Sequence, residues 1–190
     1  MKQVLILLSV ILFASCSSYK ATDGMSKEQR QMQKEADKKA QEAEDMAMYE
    51  QAVEALQQQH FVLETDRVYF KRGHVEYVTP STNFVLLDGN KASVQLAFNT
   101  AYSGANGLGG VTVDGSASNI KMKKDKKGNV HFSMSVIGTA ISAQVDIYIP
   151  YGTANAQATV NPNFNSNRIS FSGTVWPLDQ SNIFKGRSLF

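Results

Sequence analysis

The chain has 190 residues, 43% hydrophobic and 19% charged, a balance that excludes a wholly disordered polypeptide and suits one folded domain with an appendage. Nineteen Lys and Arg stand against 17 Asp and Glu, so the net charge of +2 lacks the basic excess of a dedicated nucleic-acid binder. A single cysteine excludes an intramolecular disulfide or a Cys-rich zinc site, and three scattered histidines argue against a His-based metal site, so no cofactor is expected.

Residues 1–15 read as a lipoprotein signal peptide. Lys2 supplies the positive charge, and Val4 to Ala14 form an apolar run broken only by Ser9. Such a run makes a helix of roughly 16 Å, about half of what a bilayer core requires. It ends in Phe13-Ala14-Ser15-Cys16, which resembles a bacterial lipobox with Cys16 as the lipidation site, although Phe13 replaces the commoner Leu. Each acyl methylene buried in a bilayer contributes about 0.8 kcal/mol, so several chains on one residue hold a domain at a membrane. An ordinary secretory signal is the alternative reading. Acylated Cys16 would leave no free thiol, which rules out a cysteine nucleophile. Residues 16–25 read as a flexible tether.

Residues 26–60 form a charged spacer and docking helix. No Gly or Pro occurs between Lys27 and Gln59, good helix formers dominate, and Ser26 followed by Gln29 is a capping-box start. Up to Asp45 the only apolar side chain larger than alanine is Met32, so this half should be solvated. Met46, Tyr49, Val53 and Leu56 then recur at helical spacing and should dock on the following domain. An oligomerisation helix would need an apolar seam along both halves. A helix from Lys27 to Gln59 would be roughly 50 Å long, enough to hold a domain clear of a bilayer.

Residues 61–190 read as an antiparallel β domain. Ala92, Val94, Leu96 and Phe98 alternate with Ser93 and Gln95; Val130, Phe132, Met134 and Val136 alternate with His131, Ser133 and Ser135. The same pattern runs through Ile141–Ile149, Ala154–Val160 and Ile169–Val175, and period-two patterning means one buried and one wet face. Turn signals at Asp88-Gly89-Asn90, Lys127-Gly128-Asn129, Pro150-Tyr151-Gly152 and Asn161-Pro162-Asn163 separate the strands. Eight or nine strands are predicted, near 61–70, 75–79, 83–88, 91–99, 111–123, 129–138, 140–149, 153–160 and 168–175. A phase change in the fifth predicts a bulge around Gly115–Asn119. The fold class is mainly β: an antiparallel meander closing into a barrel or folding as a two-layer sandwich, with the helix across an open end or face. A membrane-spanning barrel is disfavoured, since Lys185-Gly186-Arg187-Ser188-Leu189-Phe190 is too short and charged for a closing strand.

Four stretches bear on function. Ser103–Gly110 contains a candidate ligand loop of Gly104, Asn106, Gly107, Gly109 and Gly110, but lacks the Gly-Lys-Ser/Thr ending of a phosphate loop. Its plain reading is a connection that needs positive φ. Lys121, Lys123, Lys124, Lys126 and Lys127 are candidate contacts for an anionic surface, lipid headgroup or acidic glycan; their plain reading is a solvated hairpin turn. Four asparagines in 161–167 suit a turn. Inward-facing Ala154, Ala156 and Ala158 leave room for the helix, for aromatic side chains or for an apolar ligand. Glu64, Asp66, Asp114 and Asp146 are the candidates for hydrolytic chemistry, and no local motif pairs them. No serine stands in a nucleophile-elbow pattern beside His60, His74 or His131, so no catalytic residue is assigned.

Several separated blocks carry a family resemblance: Phe61-Val62-Leu63-Glu64, Val68-Tyr69-Phe70-Lys71-Arg72-Gly73, Thr82-Asn83-Phe84-Val85, Gly109-Gly110-Val111-Thr112, Ser118-Asn119-Ile120-Lys121, Asn163-Phe164-Asn165-Ser166-Asn167-Arg168 and Asp179-Gln180-Ser181-Asn182. Over roughly 50–190 the chain resembles a lipoprotein family of the Bacteroidales known only as a domain of unknown function. The resemblance implies a cell-envelope lipoprotein and supplies no catalytic residues. Ser17 after the cysteine, with a single acid (Asp23) in the residues that follow, matches the pattern of outer-membrane lipoproteins facing the periplasm. The expected function is therefore a lipid-anchored, non-enzymatic envelope module of binding or interaction type. Its expected partners are a membrane, through acyl chains on Cys16, and an envelope component, not nucleic acid. The alternatives are a carrier of a small apolar ligand inside a barrel and an envelope glycan hydrolase.

Overall fold

The computed structural model describes residues 25–70, 73–98, 107–138, 142–163 and 168–187. Among the described residues a single α-helix, α1 (Lys27–Gln57), precedes nine strands. It starts at the expected capping box: the Gln29 N–H donates to Ser26 Oγ at 3.2 Å and the Ser26 N–H donates to Gln29 Oε1 at 3.0 Å. The chain divides into two compact units, Met1–Lys38 and Lys39–Phe190, with the boundary inside α1. Within the first unit every described residue is exposed, and between Lys27 and Lys38 the sequence offers only Met32 and Ala36 to bury. No described helix is long and apolar enough to cross a membrane.

The second unit is a closed barrel. Its strands are β1 (His60–Tyr69), β2 (Val75–Tyr77), β3 (Phe84–Asp88), β4 (Lys91–Ala97), β5 (Gly110–Lys124), β6 (Val130–Ile137), β7 (Ser142–Ile149), β8 (Asn155–Pro162) and β9 (Ile169–Pro177). Each pairs antiparallel with its neighbour, in the order β2-β1-β3-β4-β5-β6-β7-β8-β9. An additional β1–β9 pairing, from Phe61↔Pro177 to Tyr69↔Ser170, closes eight of them into a barrel, and β2 is an extra strand on the far half of β1. Of the two predicted architectures, the chain adopts the barrel.

Two bulges bend the wall. In β5 the register with β6 shifts between Ser118 and Lys121, and Asn119 sits at φ 51°, a left-handed conformation that asparagine tolerates better than most residues. In β1 the register with β9 shifts between Thr65 and Arg67. Opposite that bulge lies Gly173, where a Cβ would collide with the Glu64 carbonyl, so only glycine lets the closing strands approach.

The inward set follows the predicted alternation. Phe61, Leu63, Val85, Leu87, Phe132, Met134, Val145, Ile147, Ala156, Ala158, Phe171 and Val175 are buried in one core. Phe61 and Phe132 meet edge to face at 5.3 Å, so aromatic rings fill part of the core that the alanines of β8 also enter. The second half of α1 adds Tyr49, Ala52, Ala55 and Leu56 to this core, with Met46, Met48 and Val53 partly buried against it. The docking stripe is thus wider than the four predicted residues. It crosses the barrel end that carries the β5–β6 and β7–β8 turns: Tyr49 donates from its hydroxyl to the Gly128 carbonyl at 2.5 Å and packs edge-on against Tyr151.

One expectation fails. Ser93 and Gln95 were expected on a wet face, yet both are buried, together with Val62 and Phe84 on the same outer side. The cause is the segment after β9. The Phe184 N–H donates to the Ser81 carbonyl at 2.7 Å, the Gly186 N–H donates to Gln95 Oε1 at 2.7 Å, and Gln95 Nε2 donates to the Phe184 and Thr82 carbonyls. Thr112 Oγ1 donates to the same Gln95 Oε1 at 2.8 Å. Residues 181–187 therefore strap the outside of β3–β5, and a buried amide is permitted there because its partners are supplied.

Candidate functional site

The opposite stretch of wall, across β5 to β8, is uncovered and carries a groove of about 370 Å³. Antiparallel register builds it from two adjacent rows of outward side chains. One row is Lys121↔Ser133↔Asp146↔Thr159, and the other is Lys123↔His131↔Tyr148↔Gln157. All eight residues line the groove, and Phe132 and Ile147, whose side chains lie in the core, contribute its floor. Four strands at their usual spacing make each row about 14 Å long, and alternate residues set the rows about 7 Å apart. The bulge at Asn119 falls immediately before Lys121 and sets the phase of β5, so that both lysines face outward at one end of the rows.

Local contacts hold several of these groups. Ser135 Oγ donates to Gln144 Oε1 at 3.1 Å, and Gln144 Nε2 donates to Asp146 Oδ1 at 3.4 Å, which orients the carboxylate at the centre of the first row. The His131 and Tyr148 rings lie 5.1 Å apart, tilted by 48°, giving a half-exposed aromatic surface in the second row. His131 Nε2 also lies 4.0 Å from Asp125 Oδ2. Asp125 organises the β5–β6 turn, accepting hydrogen bonds from the Lys127 N–H, the Asn129 N–H and Asn129 Nδ2. The Asn129 side chain, followed by those backbone donors and His131, holds the Asp125 carboxyl below its ordinary range, with desolvation opposing.

The structure divides the predicted lysine run by position. Lys121 and Lys123 belong to the groove, Lys124 lies over the Tyr49 ring at 5.2 Å, and Lys126 and Lys127 occupy the turn; all five are exposed. Of the candidate ligand loop, Gly107 and Gly109 have φ of 78° and 84°, in keeping with the conformational reading. Gly110 opens β5, where a Cβ would strike the Leu96 carbonyl. Gly104, Asn106, Cys16, the signal segment 1–15 and the tether up to residue 24 lie outside the described residues.

The four candidate acids are not brought together as cross-strand neighbours. Glu64 is opposite Phe84 and Thr174, Asp66 pairs with Arg67 at 3.2 Å, and Asp114 accepts from Ser93 Oγ and Lys185 Nζ. Asp146 alone enters the groove. His60 pairs with Asp88 at 3.1 Å and His74 with Glu76 at 2.6 Å, both exposed to solvent. Among the described residues no group of three or more His, Cys, Asp and Glu side chains is placed to hold a metal.

Sequence reasoning picked out Lys121, Lys123 and Asp146 separately but missed their juxtaposition with Ser133, Tyr148, Gln157 and Thr159. The signal that would have found it is register: counting back from the predicted turns aligns the outward positions of four successive strands.

A family model described as a domain of unknown function (DUF4251) matches residues 43–175, from the second half of α1 into β9. The structure is similar to a crystal structure of a DUF4251 family protein from Bacteroides eggerthii, with a TM-score of 0.66 and 52% sequence identity, over 77% of this chain and 99% of the other. No match is found among curated proteins.

Proposed function

The chain belongs to the DUF4251 family, a domain of unknown function, and we propose that it is a lipid-anchored cell-envelope module whose β5–β8 wall is a binding face. The observation that supports binding is the groove, where eight polar or aromatic side chains from four strands line one recess while the β3–β5 wall is strapped over. A ligand-binding role on the outside of a barrel is consistent with a core occupied by Phe61, Phe132 and Phe171. Anchoring rests on the lipobox-like Phe13-Ala14-Ser15-Cys16 and on the solvated first half of α1, which serves as a spacer between acyl chains and barrel.

Two measurements test this reading. Cells producing the full-length chain are labelled with a palmitate analogue and fractionated. Label on the wild type, in the outer-membrane fraction, and none on Cys16→Ala is expected; equal label on both overturns the anchor. Amide NMR of the mature chain with extracted envelope polysaccharide should move resonances on the outward rows of β5–β8. Shifts confined to inward residues would instead favour the carrier of a small apolar ligand. One feature bears on that second reading: Thr65 faces the barrel interior by its pairing with Gly173, and its buried hydroxyl, without a hydrogen-bond partner among the described residues, would be met by a polar group on an otherwise apolar ligand.

A further inference from the structure

We infer that the groove on β5–β8 takes an acidic saccharide, a proposal that rests on the reading of this wall as the binding face. The argument is the order of chemistry along the rows. Lys121 and Lys123 stand side by side at the β5 end, so one anionic group placed there meets two ammonium donors. Next to them come Ser133 and His131, then Asp146 and Tyr148, then Thr159 and Gln157. A carboxylate held by an amide accepts from hydroxyl groups, the Gln157 amide both donates and accepts, and a tyrosine ring offers an apolar surface to the C–H face of a sugar. Ligand hydroxyls are therefore met by partners of both kinds, and the negative charge is met at one end only.

Other anionic partners fit the same wall less well. A bilayer surface is flat and would engage the exposed turn lysines, Lys126 and Lys127, before a recess in the strands. It would also bring its phosphates against the central Asp146. A single-stranded nucleic acid needs a succession of stacking platforms along a basic track, and the groove places its two rings together, with a carboxylate in the adjoining row. Inorganic phosphate alone would use the lysines and leave the rest of the rows unengaged.

The test titrates the mature chain, followed by amide NMR and calorimetry, with four probes: a trigalacturonic acid, the corresponding neutral trisaccharide, inorganic phosphate, and phosphatidylglycerol vesicles. The acidic trisaccharide should bind and shift resonances in both rows, with phosphate and the neutral sugar each weaker by about tenfold or more. Lys121→Gln with Lys123→Gln should weaken the acidic sugar by about tenfold, and Tyr148→Ala should weaken acidic and neutral sugars alike. Lys126→Gln with Lys127→Gln should leave sugar binding unchanged. The chemical-shift spectrum of each free variant checks that the barrel is intact. If the neutral sugar binds the rows as well as the acidic one, the charge requirement is wrong and the binding wall survives. If vesicles bind and the turn variant abolishes it, the face is a membrane contact and the saccharide is wrong. If no probe perturbs the rows, the inference is overturned; the envelope-polysaccharide titration then decides separately whether the wall binds at all.

Discussion

At the scale of single residues, two side chains have consequences that can be measured. Asp125 closes the β5–β6 turn with its carboxylate, and its proton affinity is lowered first by the Asn129 amide. A carboxyl with a depressed folded-state pKa stabilises the fold above its unfolded value and loses that contribution as pH falls through the folded value. Comparing denaturation of the wild type and Asp125→Asn down the acid range should show a wild-type advantage that is full near neutral pH and shrinks as the pH falls. A constant difference would mean that the carboxylate charge is irrelevant to the turn. Thr65 is the opposite case, a buried hydroxyl without a partner among the described residues. Thr65→Val should be neutral or stabilising by up to about 1 kcal/mol in urea melts; a loss of about 1 kcal/mol or more would show that the hydroxyl is partnered inside the barrel. Asn119 illustrates what local sequence reveals. The apolar phase change in β5 predicted a bulge near it, and the residue type tolerated there agrees with the observed left-handed backbone.

At the scale of elements, alternation and turn chemistry were enough to read all nine strands. β4 and β6–β9 bury their predicted sides against a common core while β2 is exposed throughout, and two-residue turns such as Gly89-Asn90 leave antiparallel pairing as the short connection. The strap was not legible. Residues 181–187 have no periodic pattern, and the polar side chains they cover, Ser93 and Gln95, look from sequence like any wet face. Their burial depends on hydrogen bonds from a segment about 90 positions away, as in the 91-residue separation between Gly186 and Gln95. Gln95→Leu keeps similar bulk but leaves the Gly186 N–H, Thr112 and two carbonyls without that amide. It should cost about 1–3 kcal/mol and release the Phe184 and Gly186 amides to rapid hydrogen exchange. Unchanged exchange there would show that the strap is held without the amide.

At the scale of the whole molecule, closure depends on β1, which pairs with β3 along its first half, with β2 along its last residues and with β9 throughout. The bulge after Thr65 and the missing side chain at Gly173 let these strands meet. Gly173→Ala should destabilise by about 3 kcal/mol or more, or prevent folding, because the new methyl meets backbone with no room to yield. Sequence left barrel and sandwich equally open, since which strand pairs with which across the seam is a long-range fact that alternation does not encode. The same limit hid the groove, whose members are cross-strand neighbours far apart in the chain. The proposed link from barrel to function is lipid attachment at Cys16. The most direct check is the mass spectrum of the mature N-terminal peptide from protein isolated from its native membranes. A peptide that begins at Cys16 and carries acyl chains is expected; a mature chain that begins elsewhere, or an unmodified Cys16, would contradict lipid attachment.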